Sequence, residues 1–129
     1  SIINQISMNQ LSTKYDLEKR TLLFAETIID IIQHIQISPI NSRIVTQLIG
    51  SSGSVGANYA EAVESESKKD FIHKITISKK EIKETLHWIL LLIKTNPEQK
   101  EKLLISWKEA HELLLIFASI VRSCKKSVQ

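Results

Sequence analysis

The chain has 129 residues, of which 43% are hydrophobic and 24% charged, a composition that suits one globular domain and excludes intrinsic disorder. It contains only 3 glycines and 2 prolines, which disfavours a β-sandwich because that fold needs a turn about every 8–12 residues. The net charge of +3 is unevenly distributed: residues 1–66 hold 4 basic and 7 acidic side chains (−3), and residues 67–129 hold 13 and 7 (+6).

Cysteine content and hydropathy indicate a cytoplasmic protein. The single cysteine, Cys124, excludes an internal disulfide framework and suits a reducing compartment. The longest apolar runs, 88–93 and 113–121, are shorter than the roughly 20 residues that cross a bilayer. The first residues show no signal-peptide pattern. We therefore expect a cytoplasmic location and no membrane role.

The first part of the chain predicts a tail followed by a long helix. Residues 1–14 are polar and aperiodic, so we expect a flexible tail there and a single helical domain over residues 15–126. Helix 1 is predicted over residues 16–36, and its apolar face is wider than one neighbouring helix needs, which favours a further partner. One apolar stripe contains Leu17, Thr21, Phe24, Ile28, Ile31 and Ile35, and a second contains Leu22, Ala25, Ile29 and Ile32.

Two further helices follow Ser38-Pro39, which ends helix 1 because the residue before proline avoids the α region. Asn41 is predicted to cap helix 2, over residues 41–66. Ser67 and Asp70 resemble a capping box at the start of helix 3. The predicted inward positions are Ile44, Leu48, Ser51, Val55, Asn58, Ala62 and Ser65 on helix 2, and Phe71, Ile75, Ser78, Ile82, Thr85, Ile89 and Leu92 on helix 3.

The clearest boundary in the chain precedes helix 4. Asn96 is predicted to cap that helix, Pro97 fits its first position, and Gln99 can reach back to the cap. Four helices with an apolar spacing of about 3.5 residues and short connections predict an all-α, up-and-down antiparallel four-helix bundle with a left-handed twist. The predicted inward positions of helix 4 are Leu103, Trp107, Ala110, Leu114, Phe117, Val121 and Cys124.

Small polar residues interrupt the apolar positions of helices 2 and 3. With a turn centred on Lys68, antiparallel pairing places Ser51 opposite Thr85 and Asn58 opposite Ser78. An unpaired buried polar group costs roughly 1–3 kcal/mol, so we expect these groups to be hydrogen-bonded. They either fix the helix register or form a ligand site between the helices. The predicted polar seam contains Ser51, Ser54, Asn58, Glu61, Ser78 and Thr85.

All three glycines, Gly50, Gly53 and Gly56, fall within helix 2. Each costs about 1 kcal/mol relative to alanine in a helix interior, so they need an explanation. Close approach of another helix would supply one, and a local break in the helix is an alternative. A phosphate-binding loop is a third, although no strand precedes the glycines and no Lys-Ser/Thr pair follows them.

Glu84 and His87 have the spacing of a ligand pair in a carboxylate-bridged di-metal site. Such a site needs a second pair, and the candidates Asp70 and His73 lie about four turns away along the helix. We therefore interpret both pairs as surface residues. The sequence also shows no Ser/His/Asp or Cys/His set, so no metal, cofactor or enzymatic activity is predicted.

Basic side chains line one face of helix 3 and the end of helix 4. A stripe of this kind attracts nucleic-acid backbones without reading sequence, or is a solvated face with cations favoured near a helix C-terminus. On helix 3 the stripe contains Lys69, His73, Thr76, Lys80, Lys83 and His87. The predicted nucleic-acid-binding residues are Lys69, Lys80, Lys83, Lys125 and Lys126.

Residues 51–62 read Ser-Ser-Gly-Ser-Val-Gly-Ala-Asn-Tyr-Ala-Glu-Ala, which resembles the signature of the bacterial 23S rRNA intervening-sequence proteins, also called four helix bundle proteins. The resemblance continues through residues 67–71, Lys80-Glu81, Glu84-Thr85 and Trp88. It implies a bundle that assembles as a ring, with five protomers favoured. It also implies kinship with the accessory proteins of diversity-generating retroelements, for which nucleic acid and a reverse transcriptase are the expected partners.

Three functions follow from these features. The first is a non-enzymatic oligomer that binds RNA or DNA through its basic surface. The second is a protein-interaction scaffold with no nucleic-acid role. The third is a di-metal oxidase built on the bundle. It would need a second ligand pair near Glu84 and His87, and the sequence has none at a suitable distance.

Overall fold

A computed structural model describes the backbone of residues 8–128 and the side chains of residues 17–126. Over that range it contains four α-helices and a short 3-10 helix at Pro97–Gln99, with no strand. The prediction of an all-α four-helix bundle is confirmed. The helices are α1 (Met8–Ile32), α2 (Ser42–Val63), α3 (Lys68–Thr95) and α4 (Lys100–Val128).

Each helix packs against its neighbours in sequence, and α4 returns to contact α1. Contacts between side chains show that neighbouring helices are antiparallel. On α2 and α3, Ser51 contacts Thr85 while the later residue Glu61 pairs with the earlier Lys74. Because the order of contacts is α1–α2–α3–α4–α1, the side of the bundle formed by α1 and α2 lies opposite the side formed by α3 and α4. The left-handed twist stays a prediction.

Buried side chains follow the predicted apolar stripes on α1 and α3. All six positions of the first stripe of α1 and all seven inward positions of α3 are buried. On α4 the prediction is wrong at three positions: Ser106 and Leu113 are buried whereas Trp107 and Leu114 are half-buried, and Cys124 is half-buried as well. The small serine fits the closely packed centre of the bundle, and the large indole lies at its edge, where tryptophan is more often found.

The ends of α1 differ from the prediction. It begins at Met8 rather than near residue 16, and it ends at Ile32, with residues 33–34 forming a turn. Residues 1–7 lie outside the described residues, so the flexibility predicted for residues 1–14 stays a prediction.

The capping predictions are confirmed at one helix and wrong at two. The Ser67 hydroxyl accepts a hydrogen bond from the Asp70 backbone N–H at 3.1 Å and so caps α3. Asn41 and Asn96 occupy the predicted positions but make no side-chain cap bond. The Asn41 amide instead donates to the Gln36 carbonyl at 3.1 Å and to Asn96 Oδ1 at 3.0 Å. These two asparagines join the α1–α2 and α3–α4 connections at one end of the bundle.

Candidate nucleic-acid interface

The acidic side chains of α3 lie on its side facing α2. Lys74 Nζ forms an ion pair with Glu61 Oε2 of α2 at 2.7 Å, which identifies that side. Glu81 follows Lys74 by seven residues, two helical turns, and therefore lies on the same side. Asp70 is four residues before Lys74, and Glu84 is three residues after Glu81, so both also lie toward α2.

The lysines of the predicted stripe on α3 point outward, whereas Lys74 faces α2. Lys69, Lys80 and Lys83 are exposed, and Lys79 is half-buried at the edge facing α4. The other members of the predicted stripe are exposed as well: His73, Thr76 and His87. The outer side of α3 therefore carries three exposed lysines, and Glu81 and Glu84 border Lys80 at its edge.

Helix α4 carries carboxylates that face α1 as well as exposed basic side chains. Arg20 Nη2 of α1 pairs with Glu109 Oε1 at 2.7 Å and with Glu112 Oε1 at 3.4 Å, so these two carboxylates face α1. Lys102 also lies toward α1, where it lines a pocket with Asp30. Lys108 and Arg122 are exposed on the outer side of α4, and Lys125 is exposed one turn after Arg122.

The register between α3 and α4 brings the two sets of basic residues together. Lys68 interacts electrostatically with Cys124, so the start of α3 lies level with the end of α4. In an antiparallel pair this places Arg122 and Lys125 near Lys69, and Lys108 near Lys83. We call this set the basic face: Lys69, Lys79, Lys80, Lys83, Lys108, Arg122 and Lys125. Lys126, also exposed, extends it at the end of the bundle.

Sequence reasoning missed Lys79, Lys108 and Arg122. Lys79 lies beside the predicted stripe, and the two residues of α4 join it only through the register between the helices. The sequence contained one sign that Arg122 belongs with Lys125. It precedes Lys125 by three residues and thus shares a helix face with it.

Two aromatic rings lie beside the basic face on α4. The exposed His111 ring stacks on the half-buried Trp107 indole with a centroid distance of 5.3 Å and an interplanar angle of 5°. The Trp107 Nε1 atom is buried without a hydrogen-bond partner. On α3, His87 instead contacts Trp88 edge-on, at 4.9 Å and 73°.

The structure brings three residues of the predicted polar seam into the core: Ser51, Ser78 and Thr85. The Thr85 hydroxyl lies 2.9 Å from Ser51 Oγ and 2.8 Å from the Glu81 carbonyl oxygen. The Ser78 hydroxyl donates to the Val55 carbonyl at 3.0 Å. All three hydroxyls thus have partners within the protein, which favours a register-fixing role over a ligand site.

The other three seam residues lie elsewhere. Asn58 is half-buried, and its amide donates to the carbonyl of Ser54 on its own helix at 2.8 Å instead of meeting Ser78. Ser54 is half-buried, and Glu61 is exposed in its ion pair with Lys74. Tyr59 takes the inward position next to Asn58, where its ring stacks on Phe117 of α4 at 5.6 Å and 22°.

The three glycines have different surroundings. Helix α2 runs without a break through all of them, which excludes both the helix break and the phosphate-binding loop. A Cβ on Gly50 or Gly53 would meet nothing within 4 Å. A Cβ on Gly56 would lie 2.9 Å from Thr21 Oγ1 and 3.2 Å from Thr21 Cβ. Close helix approach therefore explains Gly56 alone.

Gly53 and Gly56 also line a shallow groove between α1 and α2, with a volume of about 380 Å³. We call it the α1–α2 groove. Leu22, which borders it, is 62% exposed. Its remaining walls are mostly small side chains: Thr21, Ala25, Ala57 and Ala60, with Glu18 at one end.

Burial raises the pKa of two side chains on α3 and α4. The pKa of the Glu81 carboxyl is raised by desolvation and then by the neighbouring charge of Glu84. Burial raises the pKa of the Cys124 thiol, an effect that nearby Lys68 partly offsets. A thiol whose pKa is raised is less often in the nucleophilic thiolate form, and half-buried Cys124 packs against the core.

The described residues contain no group of three or more His, Cys, Asp or Glu side chains that could hold a metal ion. Glu84, His87, Asp70 and His73 are all exposed. Of the helices between residues 8 and 128, none is both long and apolar enough to cross a membrane.

The fold and its surface define a four-helix bundle with one basic side. Residues 13–116 match the model of the family described as 23S rRNA-intervening sequence protein, and the chain belongs to that family. A protein of unknown function from the S23 ribosomal protein family of Bacteroides thetaiotaomicron has a similar structure, with 30% sequence identity and a TM-score of 0.70. The alignment covers 81% of this chain and 96% of that one. No curated protein matches the chain.

These comparisons confirm the family predicted from residues 51–62. The relation to the accessory proteins of diversity-generating retroelements stays a prediction.

Proposed function

We propose that this protein is a non-enzymatic nucleic-acid-binding protein whose basic face holds the phosphate backbone. The number of exposed basic side chains on the outer surface of α3 and α4 supports the proposal. Two carboxylates near this surface, Glu109 and Glu112 of α4, pair with Arg20 of α1 on its far side. Glu101 lies in the first turn of α4, about two turns before Lys108.

The length of the basic face suits several phosphates at once. Lys69 and Lys83 are 14 residues apart on α3, a distance of roughly 21 Å at about 1.5 Å per residue. Each neutralised phosphate releases counterions, so binding by such a surface weakens as salt is added. Lysine side chains holding phosphates read no base sequence, and we expect little sequence preference from them.

The test is a salt titration of RNA and DNA binding by the wild-type protein and by the double variant Lys80→Glu with Lys83→Glu. We expect wild-type affinity to fall linearly on a log–log plot, and the double variant to bind weakly with a slope smaller by about 1 for each lost phosphate contact. The matched control is Lys19→Glu with Arg43→Glu, which makes the same change in net charge at exposed residues of the opposite side. Equal loss in both double variants, or no wild-type binding at low salt, would contradict the proposal.

A second proposal concerns the α1–α2 groove: we propose that copies of the chain associate there, with five copies the expected number. Leu22, which borders the groove, is 62% exposed, and Ile29, seven residues later on the same side of α1, is 42% exposed. The small side chains of the groove allow a helix of another copy to approach closely. An apolar surface of this kind is typical of the core of a protein–protein interface.

Light scattering on the purified protein tests this association. We expect wild-type particles with a mass several times that of one chain, and a single-chain mass for Leu22→Glu with Ile29→Glu. Leu115→Glu is the control, because Leu115 is 56% exposed on α4, away from the groove. A wild-type protein with single-chain mass at every concentration would refute the association.

A reverse-transcriptase partner stays a prediction. If the chain is a protein-interaction scaffold instead, a specific protein partner should co-purify with it and should bind the Lys80→Glu, Lys83→Glu variant as well as the wild type.

A further inference from the structure

The stacked pair His111 and Trp107 gives the basic face an aromatic surface. The two residues are four apart on α4, and their rings are nearly parallel, at 5° and 5.3 Å. Trp107 is half-buried with its Nε1 atom inside the protein, so the indole is held from behind by the core. His111 lies over it and is exposed to solvent. The stack is therefore an exposed ring supported by a fixed one.

Charged side chains of both signs lie near this ring pair. The register indicated by Lys68 and Cys124 places His111 level with Glu81 of α3, next to Lys80. Lys108 lies one turn before His111 on α4. Leu115, one turn after His111, is 56% exposed and extends the apolar surface. Flat aromatic surface and positive charge thus occur together in the middle of the basic face.

We propose that the His111–Trp107 stack is a platform for an unpaired base of single-stranded nucleic acid, and this inference rests on the proposed function of the basic face. An aromatic ring at a protein surface can stack on a base only where the base has left a duplex, whereas lysines hold the backbones of single and double strands alike. Every base has a π-face, so the platform is tolerant of sequence and accepts RNA and DNA.

Fluorescence anisotropy with labelled strands tests the platform. The probes are a short single strand of RNA, the same sequence in DNA, and the duplex of each. We expect the wild-type protein to bind single strands more tightly than duplexes, and His111→Ala to weaken single-strand binding by roughly 5-fold to 100-fold, the range found for loss of one stacked base. Duplex binding should change little.

Two further variants separate stacking from charge. His111→Phe keeps a flat ring and should retain the single-strand preference. His34→Ala removes an exposed histidine just after α1, outside the basic face, that has no ring contact among the described residues, and it should bind as the wild type does.

The outcomes distinguish the two proposals. If Lys80→Glu with Lys83→Glu abolishes binding but His111→Ala binds single strands as the wild type does, the platform is wrong and the basic face stands. If the wild type binds neither single strands nor duplexes at low salt, both proposals fail.

Discussion

Gly50 and Gly56 both lie on α2, yet a methyl group added to each would have different effects. A Cβ on Gly50 would enter open space, whereas a Cβ on Gly56 would contact Thr21. Thr21, which faces Gly56, is buried and β-branched, and its hydroxyl donates to the Glu18 carbonyl at 3.2 Å. A β-branched side chain in a helix has few alternative rotamers. Thr21 therefore cannot move aside for a Cβ on residue 56 without losing packing.

We expect Gly56→Ala to lower the free energy of unfolding by about 1–3 kcal/mol, because the added Cβ overpacks the contact between α1 and α2. Gly50→Ala is the matched control, since its Cβ meets nothing within 4 Å. It should raise the free energy of unfolding by about 0.5–1 kcal/mol through helix propensity alone. Urea denaturation at one fixed protein concentration measures both, and a stabilised Gly56→Ala would show that the helices can separate at this point.

The hydrogen bond between Ser51 and Thr85 joins a side chain of α2 to a side chain of α3. We expect Thr85→Val and Ser51→Ala to be non-additive, with a coupling energy of about 0.5–1.5 kcal/mol, because either change removes the same hydrogen bond. Ser78 bonds a backbone carbonyl instead, so Ser78→Ala combined with Ser51→Ala should be additive within about 0.5 kcal/mol. Chemical denaturation of the two double-mutant cycles gives both numbers, and equal coupling in the two would contradict the assignment.

The buried amide of Asn41 stabilises two of the connections between helices. Asn41 is 3% exposed, and besides its bonds to Gln36 and Asn96 its Oδ1 atom accepts from the Ser38 backbone N–H at 2.9 Å. Ser38 and Gln36 belong to the α1–α2 connection, and Asn96 belongs to the α3–α4 connection. The side chain thus satisfies backbone groups of one connection while bonding to the other.

We expect Asn41→Ala to lower the free energy of unfolding by roughly 2–3 kcal/mol, since it removes three hydrogen bonds worth about 0.5–1.5 kcal/mol each. Asn58→Ala is the comparison, because the Asn58 amide bonds only a carbonyl of its own helix among the contacts found. Alanine there gains helix propensity, and the net change should stay within about 1 kcal/mol. Thermal or urea unfolding of both variants is the measurement, and equal effects would contradict the linking role of Asn41.

The sequence predicted the elements well where the apolar pattern was unambiguous. On α3 the alternation of three and four residues has no competing choice, and every predicted inward position is buried. On α4 the inward residue after Leu103 could be Ser106, three residues later, or Trp107, four residues later. The sequence favoured Trp107 because tryptophan is more apolar than serine. Only packing against the other helices decides that Ser106 is inside.

The candidate interface was predictable in part, for a related physical reason. Periodicity places residues around one helix axis, so the stripe on α3 was visible in the sequence. Periodicity does not fix how two helices slide past each other. The contributions of Lys108, Arg122 and His111 depend on that register, and the asparagines of the connections depend on contacts between segments 55 residues apart.

We expect alkaline pH to lower the stability of the whole bundle through Tyr59. This residue is 2% exposed, and its ring packs on Phe117 of α4 across the bundle. Desolvation, and then the charge of Glu18, raises the pKa of its phenol above the ordinary value. The folded state therefore holds the phenolic proton more tightly than the unfolded chain does. This contribution to stability is complete below the ordinary tyrosine pKa of about 10 and is lost as the pH rises above it.

We expect the free energy of unfolding of the wild type to fall more steeply above about pH 10 than that of Tyr59→Phe, which has no phenol to ionise. Urea denaturation at several pH values gives the two slopes. Parallel curves for the two proteins would mean that Tyr59 does not govern the alkaline transition.

The placement of the α1–α2 groove opposite the basic face has a consequence for affinity. Copies joined through the groove would each leave a basic face uncovered, so one assembly would offer several equivalent contacts to one long polymer. Once the first contact forms, the others occur at high effective concentration, and avidity can exceed the affinity of one site by roughly 100-fold to 10,000-fold. Such an assembly would discriminate by the length of the nucleic acid: strands too short to reach a second subunit would dissociate quickly, and long ones would be retained.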